Sequence, residues 1–362
     1  MLFTSIRVGL IGPLPPPAGG MANQTQQLAE LLRSANAQVI LVQTNAPYAP
    51  FWAGHIPVLR ALFRLLPYVW SVWRAAGSSN VMHIMANSGW SWHLFAVPAV
   101  WLSWLRGVPV VVNYRGGEAA EFLAIAQRGV RFSMRRVARL IVPSAFLQEV
   151  FARFKLPATI VPNIIDLARF RPRDARANNS AHLVVARNLE PLYDNACALR
   201  AFKIVQSQCP GARLTIAGSG PEAQRLHQLA HDLELGDGVQ FAGRLDRDAM
   251  AALYWSADVM LNPSLADNMP NSVLESLASG VPVVSTNVGG VPYLVQDGVT
   301  ALLVPPADPD AMAAACLKIL RNEELWCRLS SAGLAEVGRY TWTQVAPLLA
   351  SVYHQSIAGM RH

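Results

Sequence analysis

Two carboxylates, Asp267 and Glu275, occur in residues 262–286. The sequence of this segment predicts the end of a strand, then a polar loop and then a short helix. Asp267 falls in the loop, and Glu275 falls about one turn inside the helix. Loops after parallel strands lie at the carboxyl edge of a sheet, where ligands bind. Two carboxylates in different settings suit the binding of sugar and ribose hydroxyls, so we expect both to face a cleft between domains.

Two glycine-containing loops also follow predicted strands. Gly19 and Gly20 stand directly before a helical segment, and Gly218 ends the strand predicted at 213–218. Glycine allows a loop and a helix N-terminus to approach a phosphate closely. An ordinary turn would explain either loop equally well. The first loop is not G-x-G-x-x-G, so a nicotinamide cofactor is not expected.

Two D-x-D strings invite a metal interpretation, because divalent ions bridge diphosphates in many transferases. Asp308 precedes a proline, however, and Asp246 opens a helical segment in the same way. Both patterns are typical of helix N-caps. The four cysteines are too far apart in sequence for a C-x-x-C pair. The sequence therefore predicts no metal site and no resident cofactor.

The elements that must position these residues form a repeating strand and helix pattern, which predicts α/β domains with doubly wound parallel sheets. A chain of 362 residues has the length of two such domains. The predicted strands are 7–12, 38–42, 81–85, 109–114, 139–143 and 159–163 in the first half, and 182–187, 213–218, 239–243, 258–263, 281–286 and 301–305 in the second.

The domain boundaries follow from a polar stretch between the two sets of strands. We expect a first Rossmann-like domain over residues 1–165 plus 340–362, a linker over 166–181 and a second Rossmann-like domain over 182–339. The helical segment near the C-terminus follows the last strand of the second sheet and is expected to cross back to the first domain.

Charge is distributed unevenly between the halves. Residues 1–165 hold 14 Lys and Arg against 4 Asp and Glu, whereas residues 166–362 hold 16 against 19. Such asymmetry indicates an anionic partner for the first domain. Trp and Leu are interleaved with the basic residues of 51–77, and the chain carries no base-reading motif, which favours an anionic membrane surface over nucleic acid.

Two segments of the first domain are candidates for membrane docking. Residues 51–77 combine aromatic and apolar residues with Arg60, Arg64 and Arg74 and contain no acid. A buried helix that covers the sheet is the alternative for this segment. A second basic row is predicted to share one helical face: Arg128, Arg131, Arg135 and Arg139.

No segment is predicted to span a membrane or to act as a secretory signal. The apolar run at 90–105 is shorter than the roughly 20 residues that a span needs, and the N-terminus lacks a small-residue cleavage pattern. We expect a cytoplasmic protein, peripheral at the inner face of the cell membrane.

Nearly the whole chain resembles glycosyltransferase family 4, a group of retaining, nucleotide-sugar-dependent enzymes with the two-domain GT-B fold. The family's E-x7-E signature appears as Asp267 to Glu275 in ADNMPNSVLESLASGVPVV, and its glycine-rich N-terminal loop appears as AGGM at 18–21. The resemblance implies two Rossmann-like domains that face each other across a cleft, with the C-terminal helix crossing back to the first.

The resemblance also implies roles for individual residues. Glu275 would bind the donor ribose, Asp267 the donor sugar and Arg187 the donor diphosphate, so these three are the predicted catalytic set. Arg187 would neutralise charge on the leaving diphosphate without a metal. The predicted donor-binding residues are Gly19, Gly20, Gly218, Asn268, Met269, Pro270, Asn271, Ser272 and Val273. Among these, Asn271, Ser272 and Val273 would offer backbone amides to the diphosphate at a helix N-terminus.

Three positions depart from the family pattern. The first acid of the signature is Asp267 rather than Glu, and no lysine follows Arg187 before Lys203. The family commonly has a histidine beside the donor sugar, whereas this chain has Arg115 in that region, two residues after Asn113 at the end of a predicted strand. We expect Asn113 and Arg115 to contact the acceptor or the donor sugar.

The sequence therefore predicts a metal-independent, retaining hexosyltransferase or related enzyme. It would move sugar from a nucleotide-sugar donor to an acceptor, expected to be a lipid-linked glycan in cell-surface polysaccharide assembly. Two alternatives remain open: a nonenzymatic sugar-nucleotide-binding or assembly subunit, and a GT-B-fold sugar-nucleotide epimerase.

Overall fold

The computed structural model describes residues 2–16, 19–47, 57–172 and 181–359. The chain divides into two compact units. Unit 1 comprises Met1–Ile164 with Trp342–His362, and unit 2 comprises Ile165–Thr341.

Unit 1 is built on a parallel sheet with strand order β2-β1-β3-β4-β5-β6. The strands are β1 (Arg7–Gly12), β2 (Gln38–Gln43), β3 (Val81–Ala86), β4 (Val110–Tyr114), β5 (Arg139–Val142) and β6 (Thr159–Ile160). The helices between them are α1 (Gly20–Ser34), α2 (Pro57–Ser78), α3 (Val97–Leu105), α4 (Ala119–Met134) and α5 (Ala145–Arg153), with a π-helical turn at Trp92–Ala96.

Unit 2 repeats this plan with strand order β12-β11-β10-β7-β8-β9. Its strands are β7 (His182–Ala186), β8 (Arg213–Ala217), β9 (Val239–Gly243), β10 (Val259–Asn262), β11 (Val283–Thr286) and β12 (Leu302–Val304). Its helices are α6 (Asn195–Gln208), α7 (Ala223–Asp232), α8 (Arg247–Ser256), α9 (Asn271–Ala278), α10 (Val291–Leu294), α11 (Pro309–Leu320) and α12 (Glu323–Val337).

Each of the twelve segments predicted as strands overlaps an observed strand. The central strands β3 and β4 are buried along their whole length. Strands of a parallel sheet are covered by helices on both faces, so they are nearly continuous apolar runs. That property makes them recognisable in the sequence.

The last helix, α13 (Trp342–Ala358), belongs to unit 1. Val345, Leu349 and Tyr353 are buried in a core cluster that also contains residues of β1 and β4. Trp342 stacks on Phe3 with ring centroids 5.6 Å apart. The C-terminal segment predicted to return to the first domain therefore completes the core of unit 1.

Helix α2 packs one face into unit 1 and exposes the other. Tyr68, Val72 and Ala76 are buried in the core, whereas Leu66 and Trp70 are each 61% exposed. The buried face agrees with a helix that covers the sheet, and membrane docking through the exposed face stays a prediction. Phe51 and Trp52, two of the aromatic residues in the predicted docking segment 51–77, lie outside the described residues. Within those that are described, no helix combines the length and apolar character that a membrane crossing needs.

The predicted basic row is wrong at its last position. Helix α4 ends at Met134, and Arg139 opens strand β5. The backbone N–H of Ala138 already donates to the carbonyl of Val110, at 2.8 Å. The apolar residues that follow Arg139 pair with β4 in the sheet, so the helix cannot continue to it. Arg128 and Arg131 on the C-terminal half of α4 remain exposed, as does Arg135, the residue that directly follows the helix.

Candidate active site

The carboxyl edge of the unit 2 sheet brings together an arginine and a carboxylate that are far apart in sequence. Arg187 directly follows β7, and Asp267 lies in the loop between the neighbouring strand β10 and helix α9. The Nη2 atom of Arg187 forms an ion pair with Oδ2 of Asp267. The two side chains are only 10% and 11% exposed, so the pair is largely shielded from water.

Arg187 is held by further contacts on its other sides. Its guanidinium carbon lies 4.1 Å from the centre of the Tyr193 ring, a cation–π distance. Nη1 donates a long hydrogen bond of 3.4 Å to the Ser272 hydroxyl. The Nε atom is buried and has no hydrogen-bond partner among the described residues. The guanidinium is therefore oriented at the sheet edge, and its Nε–H is not used by the described residues.

Glu275 lies in the second turn of α9 and receives a long hydrogen bond of 3.4 Å from the Tyr254 hydroxyl. Burial raises the pKa of the Glu275 carboxyl to about 7, against the opposing influence of Arg247, the Tyr254 hydrogen bond and Arg187. Glu275 therefore changes charge near neutral pH, whereas an ordinary glutamate is ionised there.

Glycines fix the two loops that carry the ion pair. A Cβ atom on Gly290 would lie 1.9 Å from the carbonyl oxygen of Asn268, and one on Gly289 would lie 2.1 Å from that of Asp267. The backbone N–H of Gly290 also donates to the Asp267 carbonyl at 2.9 Å. A Cβ on Gly218 would lie 2.0 Å from the carbonyl oxygen of Arg187. Close backbone packing thus requires glycine at all three positions.

This packing requires glycine at position 218 whether or not Gly218 also contacts the donor as predicted. Gly289 and Gly290 were not predicted as site residues. The only sequence signal for them is the NVGG turn after β11, which alone does not reveal the loop against which it packs.

The remaining predicted residues surround the start of α9. Pro270 is the N-cap residue and Asn271 the first helical residue. The side chains of Asn268, Met269, Ser272 and Val273 are buried in unit 2. The Val273 amide donates to the Pro270 carbonyl at 3.2 Å, so this N–H is used within the first turn.

Asp246 and Asp308 act as N-caps, as predicted. Their carboxylates accept the backbone N–H of Ala249 and Ala311, each at 2.8 Å. Among the described residues, no group of three or more His, Cys, Asp or Glu side chains is arranged to hold a metal ion.

Unit 1 brings Asn113 and Arg115 into one polar cluster at the carboxyl end of β4. The Nε atom of Arg115 donates to Oδ1 of Asn113 at 3.2 Å, and Nη1 donates to the side-chain oxygens of Gln24 and Asn163. Gly19 caps helix α1 and Gly20 opens it, with Gln24 about one turn further along.

His83 and Tyr353 complete this cluster. Nε2 of His83 lies 3.1 Å from Nδ2 of Asn113, and Nδ1 lies 2.8 Å from the Tyr353 hydroxyl. Sequence reasoning missed both residues, together with Gln24 and Asn163. A histidine in the middle of the apolar run VMHIM was the one signal available for His83.

Two family descriptions match the chain. "Glycosyl transferase 4-like domain" matches residues 19–163, and "Glycosyl transferases group 1" matches residues 182–322. The first match lies in unit 1 and the second in unit 2.

Curated relatives match the chain over different lengths. The phosphatidyl-myo-inositol mannosyltransferase of Mycolicibacterium smegmatis is 25% identical over 98% of this chain and 95% of its own length. The D-inositol 3-phosphate glycosyltransferase of Streptomyces bingchenggensis is 30% identical over 57% of this chain, and the match spans about half, 49%, of that protein.

Solved structures share the fold. Sucrose-phosphate synthase from Thermosynechococcus elongatus gives a TM-score of 0.76 at 21% identity and covers 98% of this chain and 100% of its own. Anabaena HepE in complex with UDP and glucose gives a TM-score of 0.76 at 17% identity, and the match covers 96% of this chain and 98% of the HepE chain. The predicted fold class, two parallel α/β domains of the GT-B type, is confirmed.

We expect Glu275 to make stability depend on pH. Its pKa is raised in the folded chain, so between about pH 4.5 and 7 the native state binds more protons than the unfolded state, and the free energy of unfolding falls as pH rises. The difference in urea unfolding midpoint between wild type and Glu275→Gln should therefore change across this window. Glu324→Gln, an exposed acid on α12, is the control. Parallel pH profiles for wild type and Glu275→Gln would contradict the raised pKa.

Proposed function

The chain belongs to glycosyltransferase family 4, the group 1 glycosyl transferases, and from this premise we propose that it transfers a sugar from a nucleotide-sugar donor to an acceptor with retention at the anomeric carbon. The observation that carries the proposal is the shielded ion pair between Arg187 and Asp267 at the carboxyl edge of the unit 2 sheet, with Glu275 in the second turn of the helix that follows the Asp267 loop.

In this proposal unit 2 binds the donor. Glu275 accepts hydrogen bonds from the ribose hydroxyls, and Asp267 accepts them from the donor sugar. Arg187 binds the diphosphate, to which its planar guanidinium is well suited. Because the Asp267 carboxylate already accepts from Nη2 of Arg187, the diphosphate either binds Arg187 alongside Asp267 or displaces Asp267 from it. The Asn271 and Ser272 amides at the start of α9 add a helix N-terminus that favours anions.

Catalysis then depends on stabilising the charge of the departing diphosphate. Arg187 is already oriented by the Tyr193 ring and by Asp267, so little reorganisation is needed as negative charge develops. The bond from the anomeric carbon to the diphosphate breaks, the acceptor hydroxyl attacks that carbon from the same face, and its proton passes to the departing diphosphate oxygen. This route requires no enzymic nucleophile. The positive charge at Arg187 takes the place of a metal ion, and the reaction is proposed to be metal-independent.

We propose a lipid-linked glycan acceptor, used in cell-surface polysaccharide assembly, which places the protein at the inner face of the cell membrane. One support is the full-length similarity to a mannosyltransferase whose name specifies a phosphatidyl-inositol acceptor. A second support is the surface of unit 1. Trp70 on α2 and Phe132 on α4 are 61% and 52% exposed. Three exposed arginines lie on α4 or directly after it: Arg128, Arg131 and Arg135. Apolar residues beside arginines are typical of surfaces that bind anionic lipid.

We expect Arg187→Gln to reduce turnover of the nucleotide sugar roughly ten- to a hundredfold, the value of a lost charge-assisted hydrogen bond. Lys203→Ala in α6 is the control and should retain wild-type turnover. Circular dichroism of both variants excludes unfolding as the cause. Wild-type kinetics in Arg187→Gln would contradict the site. Absence of acceptor-dependent product with any nucleotide sugar, even in wild type, would favour a binding subunit or an epimerase.

We expect a chelator to leave turnover unchanged within about twofold, because the D-x-D aspartates cap helices and Arg187 supplies the positive charge. The measurement compares initial rates before and after EDTA treatment and again after addition of Mg²⁺ or Mn²⁺. Activity that disappears with EDTA and returns with either ion would overturn metal independence.

We expect unit 1 to bind anionic vesicles in preference to neutral ones. Reversing Arg128, Arg131 and Arg135 to Glu should weaken binding at least roughly a hundredfold, since each basic residue near an anionic surface contributes about 1 kcal/mol. The matched control reverses three exposed arginines of unit 2, Arg213, Arg321 and Arg328. Liposome co-sedimentation measures both. Equal loss in the two triple variants would show a net-charge effect only and would contradict docking through α4.

A further inference from the structure

Arg115 is a cation that the protein surrounds with neutral partners. Its hydrogen bonds go to the side-chain oxygens of Asn113, Gln24 and Asn163, all of them amides. Within the described part of the chain, no carboxylate forms an ion pair with Arg115. Burial lowers the pKa of its guanidinium to about 9, which leaves it charged at neutral pH. A shielded charge without a counter-charge is costly, so this arrangement needs a reason.

The amides and His83 orient Arg115 but add no charge. Asn113 accepts the Arg115 Nε–H through Oδ1, so its Nδ2 must donate to Nε2 of His83. His83 therefore carries its proton on Nδ1 and donates it to the Tyr353 hydroxyl. Burial and the neighbouring Arg115 lower the pKa of His83 to about 3, so the ring is neutral at any physiological pH. These hydrogen bonds connect Arg115 through Asn113 and His83 to Tyr353 on α13, and each residue has a defined donor or acceptor role.

Arg115 contacts the first turns of helix α1, directly after the glycine pair Gly19 and Gly20. Gln24, which accepts from Arg115, is one turn from the start of α1, and that helix has no acid in its first turn and no side-chain cap. A Cβ atom on Gly19, Gly20 or Gly117 would meet no atom within 4 Å. The Nη2 atom of Arg115 makes no hydrogen bond to any described residue.

We propose that Arg115 binds a phosphoryl group of a substrate in unit 1, with Asn113 and His83 as positioning residues. The phosphoryl group supplies the counter-charge that the protein withholds, and it accepts hydrogen bonds from Nη2, where Arg geometry favours phosphate oxygens. The substrate's identity rests on the proposed function: the group belongs either to the donor diphosphate or to a phosphate in the acceptor. Binding of the anion itself does not depend on that function.

The decisive variants change charge and keep shape. Gln24→Glu and Asn113→Asp each place a carboxylate against the Arg115 guanidinium and so supply the missing counter-charge from within. Arg115→Gln removes the cation. Arg153→Gln, at an exposed arginine on α5, is the control. Inorganic phosphate is the first probe, measured by the phosphate-dependent rise in melting temperature at constant ionic strength.

We expect Arg115→Gln to abolish the phosphate-dependent rise in melting temperature. Gln24→Glu and Asn113→Asp should reduce the apparent affinity for phosphate at least tenfold. In the absence of phosphate, these two variants should melt at a higher temperature than wild type. His83→Leu should weaken phosphate binding, and His83→Gln should restore part of it, since an amide can again accept from Asn113. Loss of binding in a stabilised Gln24→Glu variant cannot come from misfolding. An unchanged phosphate effect in Arg115→Gln and Gln24→Glu would overturn the proposal.

UDP and GDP distinguish the two sources of the phosphoryl group. If Arg115→Gln weakens binding of the nucleoside diphosphate about as much as Arg187→Gln does, the donor diphosphate is the anion at Arg115. If it weakens only phosphate binding, the anion belongs to the acceptor. Failure of the proposed glycosyl transfer would appear as absent turnover in wild type with phosphate binding intact, which separates the two claims.

Discussion

The ion pair between Arg187 and Asp267 is the interaction on which the proposed donor site depends. Both side chains are about nine-tenths shielded from water, so each would leave the other as an uncompensated charge if it were lost. The pair also joins the loop after β7 to the loop after β10, two segments that only the sheet brings together. Gly218 and Gly290 have no side chain, so their backbone segments pack closely against these same loops. This packing holds the loops, and with them the ion pair, in position.

Each unit holds a shielded arginine directly after a central strand, and the two differ in how their charge is balanced. In unit 2 the chain supplies the counter-ion, Asp267, so the guanidinium is oriented before any ligand binds. In unit 1 the chain supplies only amide oxygens and a neutral histidine, so Arg115 is oriented but its charge is left for a ligand. The same fold thus provides one preformed ion pair and one unbalanced cation, and both suit substrates that carry phosphate.

Sequence reasoning succeeded where the determining interactions are local. Strands of a parallel sheet are apolar on both faces, and the caps at Asp246 and Asp308 depend on residues three positions away. It failed where contacts are distant: His83 bonds to Tyr353, 270 residues further along the chain, and no local pattern reveals such a partner. Arg139 was assigned to a helical face from its spacing alone, although the apolar run after it belongs to β5. Glu275 was identified from a motif, but its raised pKa depends on burial that only the tertiary structure shows.

A crystal structure of the protein with a bound nucleoside diphosphate, UDP or GDP, tests the central claim most directly. The account predicts that a phosphate oxygen lies within about 3 Å of the Arg187 guanidinium, as charge-assisted hydrogen bonds require, with a ribose hydroxyl on the Glu275 carboxylate. A nucleotide bound away from the edge of β7 and β10, with the Arg187 to Asp267 pair untouched and Glu275 without a ligand contact, would contradict it.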